Sequence, residues 1–393
     1  MSKLEELIQQ YCPDGVEYKP LGDYLSYEQP TKYLVVNTKY DDSYLTPVLT
    51  AGQSFILGYT NEKEGIFQAS KDVPVIIFDD FTTSFHWVDF SFKVKSSAMK
   101  MLRPIDEKKA LFRYLFYCMK NILYVPGDHT RQWIGTYSQF EIPVPPLPVQ
   151  EEIVRILDNF TELQAELQAE LQKRIQQYNY YRDNLLSDFT PEQEPKECTL
   201  EEITTDIYSG ATPSKEKRDY WENGTIPWMS SGEVNLGQVY EVEGRITQLG
   251  YDKCSTRMVP EGSVVIALAG QGKTRGTVAI LRTSVCTNQS LAALVPNPDI
   301  VSGEYLYYYL KTQYSKLREV SSGDGTRGGL NLKMLRSYKV IVPSLKTQTQ
   351  IVAILDRFET LTNDLSQGLP AEIEKRKQQY EYYRDKLLTF KRK

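Results

Sequence analysis

The chain contains itself twice. Residues 151–163 read EEIVRILDNFTEL and return as TQIVAILDRFETL at 349–361, an offset of 198. Residues 173–186, KRIQQYNYYRDNLL, return as KRKQQYEYYRDKLL at 375–388, now offset by 202. The four extra positions fall near LSQGLP (365–370). Upstream, Pro145 and Leu147 correspond to Pro343 and Leu345. A repeat this long is a duplicated half rather than a solenoid unit. The stretches ahead of the repeated parts, roughly 20–145 and 191–345, show little mutual likeness. The pattern predicts a symmetric frame carrying two different heads.

The repeated parts are helical. From Ile153 to Leu185 apolar residues recur about every 3.6 positions, the spacing of one helix face and close to that of a coiled coil. Such a narrow stripe needs a partner stripe. It could pack on its own domain's core, but the second copy offers a twin within the chain, so an intrachain helix pair is expected. Inside the first copy, ELQAELQAELQ (162–172) is a four-residue tandem repeat. It is good helix-forming filler and also a spacer, each unit adding about 6 Å. The second copy replaces it with SQGLPAEIEKR, where Gly368 and Pro370 predict a break.

The variable stretches read as mixed α and β, and the class as α+β. Short strands are predicted at PVIIF (74–78), FSFKVK (90–95), SVVIALAG (263–270) and GTVAILR (276–282), and short helices at 2–10, 107–122 and 303–319. The expected organisation is 1–145 as a first head with its N-terminal helix, 146–190 as a central spacer helix, 191–345 as a second head, and 346–393 as a C-terminal spacer helix.

Composition narrows the function. The 393 residues suffice for two or three domains, with no run of 18 apolar residues to span a membrane. The first residues lack the apolar core of a secretory signal. Five scattered cysteines without CxxC spacing argue for a reducing compartment, and two histidines argue against a zinc site. The net charge of −5 excludes a uniformly basic coat. Charge is uneven, however. Residues 207–340 carry sixteen bases against twelve acids, whereas 187–206 carry seven acids against one lysine. The second head is therefore basic within an acidic chain, a modest nucleic-acid signal that a solvated surface would also give.

Loop texture adds to it. SGATPSKEKRDYWENGTIPWMSSGEV (209–234) mixes hydroxyls, cations and tryptophans. AGQGKTRG (269–276) and SSGDGTRGGLN (321–331) are glycine-rich and carry Lys273, Arg275 and Arg327. Glycine admits a phosphate close to backbone N–H groups, and arginine can bond guanine through two hydrogen bonds. In the first head, PGDHTRQW (126–133) stands where SGDGTRGG stands in the second, with YEQPTK (27–32) and DDFTTSF (79–85) as further polar loops. The candidates for base or phosphate contact are Lys32, Thr82, Thr83, Ser84, Lys93, Lys95 and Arg131 in the first head. In the second they are Ser209, Thr212, Ser214, Lys215, Trp228, Ser230, Gln271, Lys273, Arg275, Asn288, Gln289 and Arg327. For spacing or subunit docking they are Leu163, Leu167, Leu171, Tyr178, Tyr181, Leu361, Tyr380 and Tyr383, the leucines reading foremost as interhelix packing.

Catalytic readings fail on spacing. GQGKT lacks the first glycine of a P-loop, Ala267 standing there, and strand-like residues follow where a helix must start. Asp14, Glu17 and Lys19 mimic fragments of a nuclease core but lie beside a helix, and Asp79–Asp80 reads as a strand-end turn before a magnesium site. No amino-methyltransferase or GxGxG motif is present. No catalytic or metal residue is assigned, and the chain reads as a reader rather than a catalyst. The alternatives are a stand-alone enzyme, either a nuclease or a fused methyltransferase, and a coiled-coil scaffold that never touches DNA.

The arrangement resembles the specificity subunit of type I restriction–modification enzymes. The matching features are VPPLPVQEEIVRILDNF with its echo IVPSLKTQTQIVAILDRF, the YNYYRDNLL and YEYYRDKLL ends, SGATPSK…YWENGTIPWMSSGEV, and CPDGVEYKPLGDY. The first head departs from the GATPSK…IPW pattern, carrying TPVLTAGQSFILGYT and PVIIFDDFTTSFHWVDF instead. The resemblance implies two target recognition domains in pseudo-two-fold arrangement, separated by two long antiparallel helices that form an intrachain coiled coil. Each domain would read half of a split site on double-stranded DNA. The helices would dock two methyltransferase subunits, which use S-adenosylmethionine, and restriction–translocase subunits using ATP and magnesium would join them. The chain itself would hold no cofactor, make no membrane contact and work in the cytoplasm of a bacterial or archaeal cell.

Overall fold

The computed structural model describes residues 2–52, 54–270, 274–321, 329–363 and 368–393. By contact the chain forms two units, Met1–Gln168 with Glu372–Lys393, and Ala169–Ala371. One helix, Leu147–Ser187, runs through the spacer repeat and changes unit between Gln168 and Ala169. The C-terminal copy forms two helices, Leu345–Asn363 and Leu369–Leu387. Pro370 occupies the first turn of the second, where its missing N–H costs nothing.

Two heads with little sequence likeness share one sheet plan. In the first unit the antiparallel order is Leu25–Glu28, Met99–Pro104, Val75–Asp79, Phe85–Val88. In the second it is Thr204–Ser209, Leu291–Pro296, Val264–Ala267, Val278–Leu281, with Gln238–Val239 added in parallel. Each head has a companion sheet. Thr46–Leu49 lies between Ile56–Thr60 and Lys93–Val94 in the first, and Ile226–Met229 and Val285–Thr287 lie at the centre of the second. The strand expected at 90–95 shrinks to Lys93–Val94, because Phe92 is taken by an isolated bridge to Phe67.

A helix backs each sheet: Phe112–Asn121 in the first head and Gly303–Thr312 in the second. The first starts later than its sequence suggests, since Asp106 caps a preceding turn through the Lys108 amide. The helix expected over 303–319 breaks at Gln313 into a second piece, Tyr314–Val320, which keeps Leu317 fully buried.

These backing helices meet the repeated helices through the same contacts twice. Gln150 and Gln348 are fully buried. Gln150 donates to the carbonyls of Pro145 and Lys109 and accepts the Leu111 amide. Gln348 donates to those of Pro343 and Ile300 and accepts the Ser302 amide. The Tyr114 hydroxyl donates to the Pro143 carbonyl, and that of Tyr305 to the Ile341 carbonyl. Asp158 accepts from Tyr117 and Arg113, and Asp356 from Tyr308.

The repeated helices pair antiparallel inside each unit. In the first, Phe160 stacks on Tyr383 (5.4 Å, 23°), while Phe390 lies back beside Tyr18, whose strand pairs with Pro143. In the second, Tyr181 stacks on Phe358 (5.8 Å, 28°), while Gln193 reaches Ser344. By the two repeat offsets Phe160 is the counterpart of Phe358, and Tyr181 that of Tyr383. One contact is therefore made twice, each time between an early segment of one copy and a late segment of the other.

The N-terminal helix Lys3–Tyr11 is capped by Ser2 and Glu5. Gly15 follows at φ +103°, where a Cβ would lie 2.3 Å from the Lys391 carbonyl oxygen. Lys3 reaches Glu152 (2.9 Å), which also binds Arg155 (2.6 Å). The Arg155 hydrogen bond, aided by Lys3, holds the buried Glu152 carboxyl down to about 2. A depressed folded pKa gives stabilisation that is complete above the ordinary value of 4.5 and fades as pH falls toward 2. Hydrogen-exchange protection of residues 3–11, taken relative to the intrinsic rate at each pH, should stay high at pH 5 and fall only below about 4.5; release of the helix already at pH 6 would contradict this.

Candidate nucleic-acid interface

In the first head the strand Val75–Asp79 ends in a tight turn. The Asp79 carboxylate accepts the amides of Phe81 (2.9 Å) and Thr82 (2.8 Å), and Thr83 takes φ +58°. The loop 126–134 lies against this turn. Gln132 donates its amide to the Asp80 carbonyl (2.8 Å), and Phe81 stacks on His129 (4.4 Å, 15°). The Gln132 side chain ties Asp128 and Thr130 together. The two loops form one edge on which Thr82, His129, Thr130 and Arg131 are exposed and Ser84 is half-buried. Beside it a cavity of about 310 Å³ is lined by Ser84, His86 and Lys120. His86 bonds the Gly52 carbonyl (3.0 Å), and burial pushes its pKa down, so it stays neutral at pH 7.

The other first-head candidates lie apart from this edge. Lys32 is exposed, 3.6 Å from Glu28, and Lys95 is exposed beyond the strand Lys93–Val94. Thr83 is buried and bonds its neighbour's carbonyl. Lys93 is only 3% exposed, with its Nζ on Glu62 (2.7 Å) and the Glu64 carbonyl (2.7 Å). It braces the interior and does not face solvent.

In the second head the loop after Ser209 is pinned by its own aromatics. Trp228 is buried and donates to the Ala211 carbonyl, and Trp221 donates to that of Ser214 (both 3.0 Å). The two indoles meet edge-to-face at 5.1 Å. Gly210 lets the loop start here, since a Cβ would stand 1.8 Å from the Thr287 carbonyl oxygen. Thr212 donates to Gln289, and Asn288 caps the Ser290 amide. This gathers Ser209, Thr212, Ser214, Asn288 and Gln289 at one end of the sheet. Lys215 and Arg218 line an open cavity of about 530 Å³ with Trp221, Glu222 and Trp228. Ser230 is half-buried and bonds Glu233, and Arg275 is buried. Gln271, Lys273 and Arg327 lie outside the described residues.

Of the spacer candidates, Leu163, Leu167 and Leu171 are half-buried along the central helix. Tyr178 is buried in the second unit's core and Tyr380 packs on the first's. Tyr181 and Tyr383 stack on Phe358 and Phe160, and Leu361 is 37% exposed. Tyr181 keeps 42% exposure despite its stack, and the most exposed tyrosines of the repeated helices are Tyr180 (64%) and Tyr382 (62%), equivalent positions that helical periodicity could have singled out. Phe81 and His129, which join the two loops of the first head, carried no sequence signal because their pairing spans some fifty residues of chain.

Among the described residues no cluster of His, Cys, Asp and Glu could hold a metal ion, and no helix is long and apolar enough to cross a membrane. The profile of the type I restriction modification DNA specificity domain matches twice, over residues 13–177 and 193–375. The chain is 47% identical to the EcoR124I/EcoR124II type I restriction enzyme specificity subunit of Escherichia coli, over 99% of this chain and 97% of that one. It is 30% identical to a putative type I restriction enzyme specificity subunit of Haemophilus influenzae, over 86% of each. The fold is similar to the type I restriction–modification S subunit of M. genitalium, with TM-score 0.58 at 15% identity over 96% of this chain and 97% of that one. It is equally similar to a chain from a structure on complex assembly and conformational transition of the type I system, with TM-score 0.57 at 18% identity over 96% and 98%. A domain matched twice, on a frame whose joints recur residue for residue, places this chain in the family of type I restriction–modification specificity subunits.

Proposed function

We propose that the chain reads a bipartite, asymmetric site on double-stranded DNA, with residues 1–145 reading one half-site and 191–345 the other. Residues 146–190 and 346–393 are the spacer that sets the unread gap. The observation carrying this reading is the duplicated joint: equivalent Gln150 and Gln348 contacts hold two heads whose sequences show little mutual likeness. A frame built twice with unlike loops suits a site whose halves are unlike. Loop side chains reach base edges and phosphates, and the bases supply the specificity.

The chain is the non-catalytic member of its complex and takes no cofactor itself. The repeated helices dock two methyltransferase subunits, which bring S-adenosylmethionine and methylate an adenine in each half-site. Restriction–translocase subunits supply the ATP- and magnesium-dependent steps. The complex works in the cytoplasm.

The test is to map methylated adenines in DNA from cells that carry this chain with its methyltransferase partner. The expected result is one split motif with two unlike halves and a fixed gap. A continuous motif, or none, would refute the proposal. In the same assay Arg131→Ala and Arg327→Ala should each weaken recognition of one half-site, and not the same one, by about tenfold for a lost two-bond guanine contact. Equal weakening of both halves by either change would count against one head per half.

A further inference from the structure

The first head holds a buried ion pair at a position where the second head has Leu268. Asp80 and Lys100 are each 1% exposed, with Lys100 Nζ 3.3 Å from Asp80 Oδ2 and 4.6 Å above the Tyr27 ring. The other carboxylate oxygen of Asp80 accepts the Trp133 amide at 2.8 Å. Its backbone donates to the Ala98 carbonyl and accepts the Gln132 amide. The second head makes the same two backbone contacts with Leu268, whose amide donates to Ser290 and whose carbonyl accepts from Leu330. The sheet plan therefore accepts an aliphatic residue here, and the charge is an addition made in one head only.

A buried pair of this kind costs desolvation energy and adds little net stability against apolar replacements. Its effect lies in where it holds the chain. Trp133 is 2% exposed, its ring packed edge-on to Phe78 (5.1 Å). With its amide on Asp80, both ends of Trp133 are fixed, one residue from Gln132 and two from the exposed Arg131. The neighbouring Asp79 carboxylate shapes the turn carrying Thr82 and Ser84. The aspartate pair thus ties the two loops of this edge to one strand end.

We propose that Asp80, neutralised by Lys100, is a positioning residue for base discrimination by the first head alone. It acts through the Trp133 amide on loop 126–134 and does not itself touch DNA. This rests on reading residues 1–145 as a DNA-reading head.

The test uses the assembled complex with its methyltransferase partner, and measures methylation of the intact site against sites with single substitutions in either half. Replacing the pair by Asp80→Leu with Lys100→Met should leave the complex folded, with a melting temperature lowered only by the orphaned Trp133 amide. It should lower discrimination in one half-site by about tenfold, the worth of one lost buried hydrogen bond, and leave the other unchanged. Asp80→Asn with Lys100→Met keeps an acceptor for the Trp133 amide and should restore discrimination. Unchanged discrimination in the Leu variant, equal loss in both half-sites, or no recovery with Asn would each overturn the proposal. Hydrogen exchange on the unaltered complex avoids any folding defect in the variants. The Gln132 and Trp133 amides should exchange far more slowly than that of Thr130, and equal rates would overturn the proposal. An unaltered complex that discriminates in neither half-site would instead overturn the DNA-reading assignment beneath it.

Discussion

Deleting Ala165–Gln168 should shorten the preferred gap between half-sites by about one or two base pairs while leaving both half-site sequences unchanged. The four residues lie within an unbroken helix, Leu147–Ser187, so their loss keeps the helix and removes about 6 Å of rise and about 40° of turn. A base pair advances about 3.4 Å and turns about 35°. One unit therefore matches one pair in rotation and nearly two in translation. On DNA with the original gap only one head can then sit in register, and modification should fall by roughly a hundredfold or more, the worth of two lost base contacts. Methylation rates on substrates whose gap varies by single pairs would show the shift; an optimum that stays put would remove the spacer role.

Gln150→Ala and Gln348→Ala should each destabilise the protein by roughly 3 kcal/mol, one in each unit. Each side chain is fully buried and satisfies three backbone groups where a head helix meets a repeated helix. Alanine leaves those groups buried without partners, at about 1 kcal/mol or more apiece, and opens a void beside them. Denaturant unfolding followed by hydrogen exchange would place the loss in residues 2–168 for the first variant and 169–363 for the second. A change below about 0.5 kcal/mol, the level of an ordinary surface substitution, would mean the joint is not held there.

Much of this architecture was legible in the residue order. Ile153, Leu157 and their counterparts Ile351 and Leu355 announced a helix face, and all four are buried. Gly368 and Pro370 announced the break before Leu369. The candidate loops were recognisable by composition, and the structure gathers Thr82 and Arg131 on one edge and Thr212 and Gln289 on another. Lys93 was misjudged because a strand lysine turned to solvent and a strand lysine clamped inward to Glu62 look alike in sequence. The shared plan of the two heads was hidden for a related reason. A β-sheet requires alternation and strand order, which unlike side chains satisfy equally well, so Val75–Asp79 and Val264–Ala267 occupy the same place with little identity.

The sequence by itself determined the duplication, the helical spacer with its four-residue step, and the family to which the chain belongs, because these are patterns of period and identity along the chain. Only the tertiary structure decided that Phe160 pairs with Tyr383 and Phe358 with Tyr181, that Tyr180 and Tyr382 face solvent, and that Asp80 is buried on Lys100. Periodicity fixes which side of an element is apolar. It does not select the partner, which is set by packing between residues far apart in the chain.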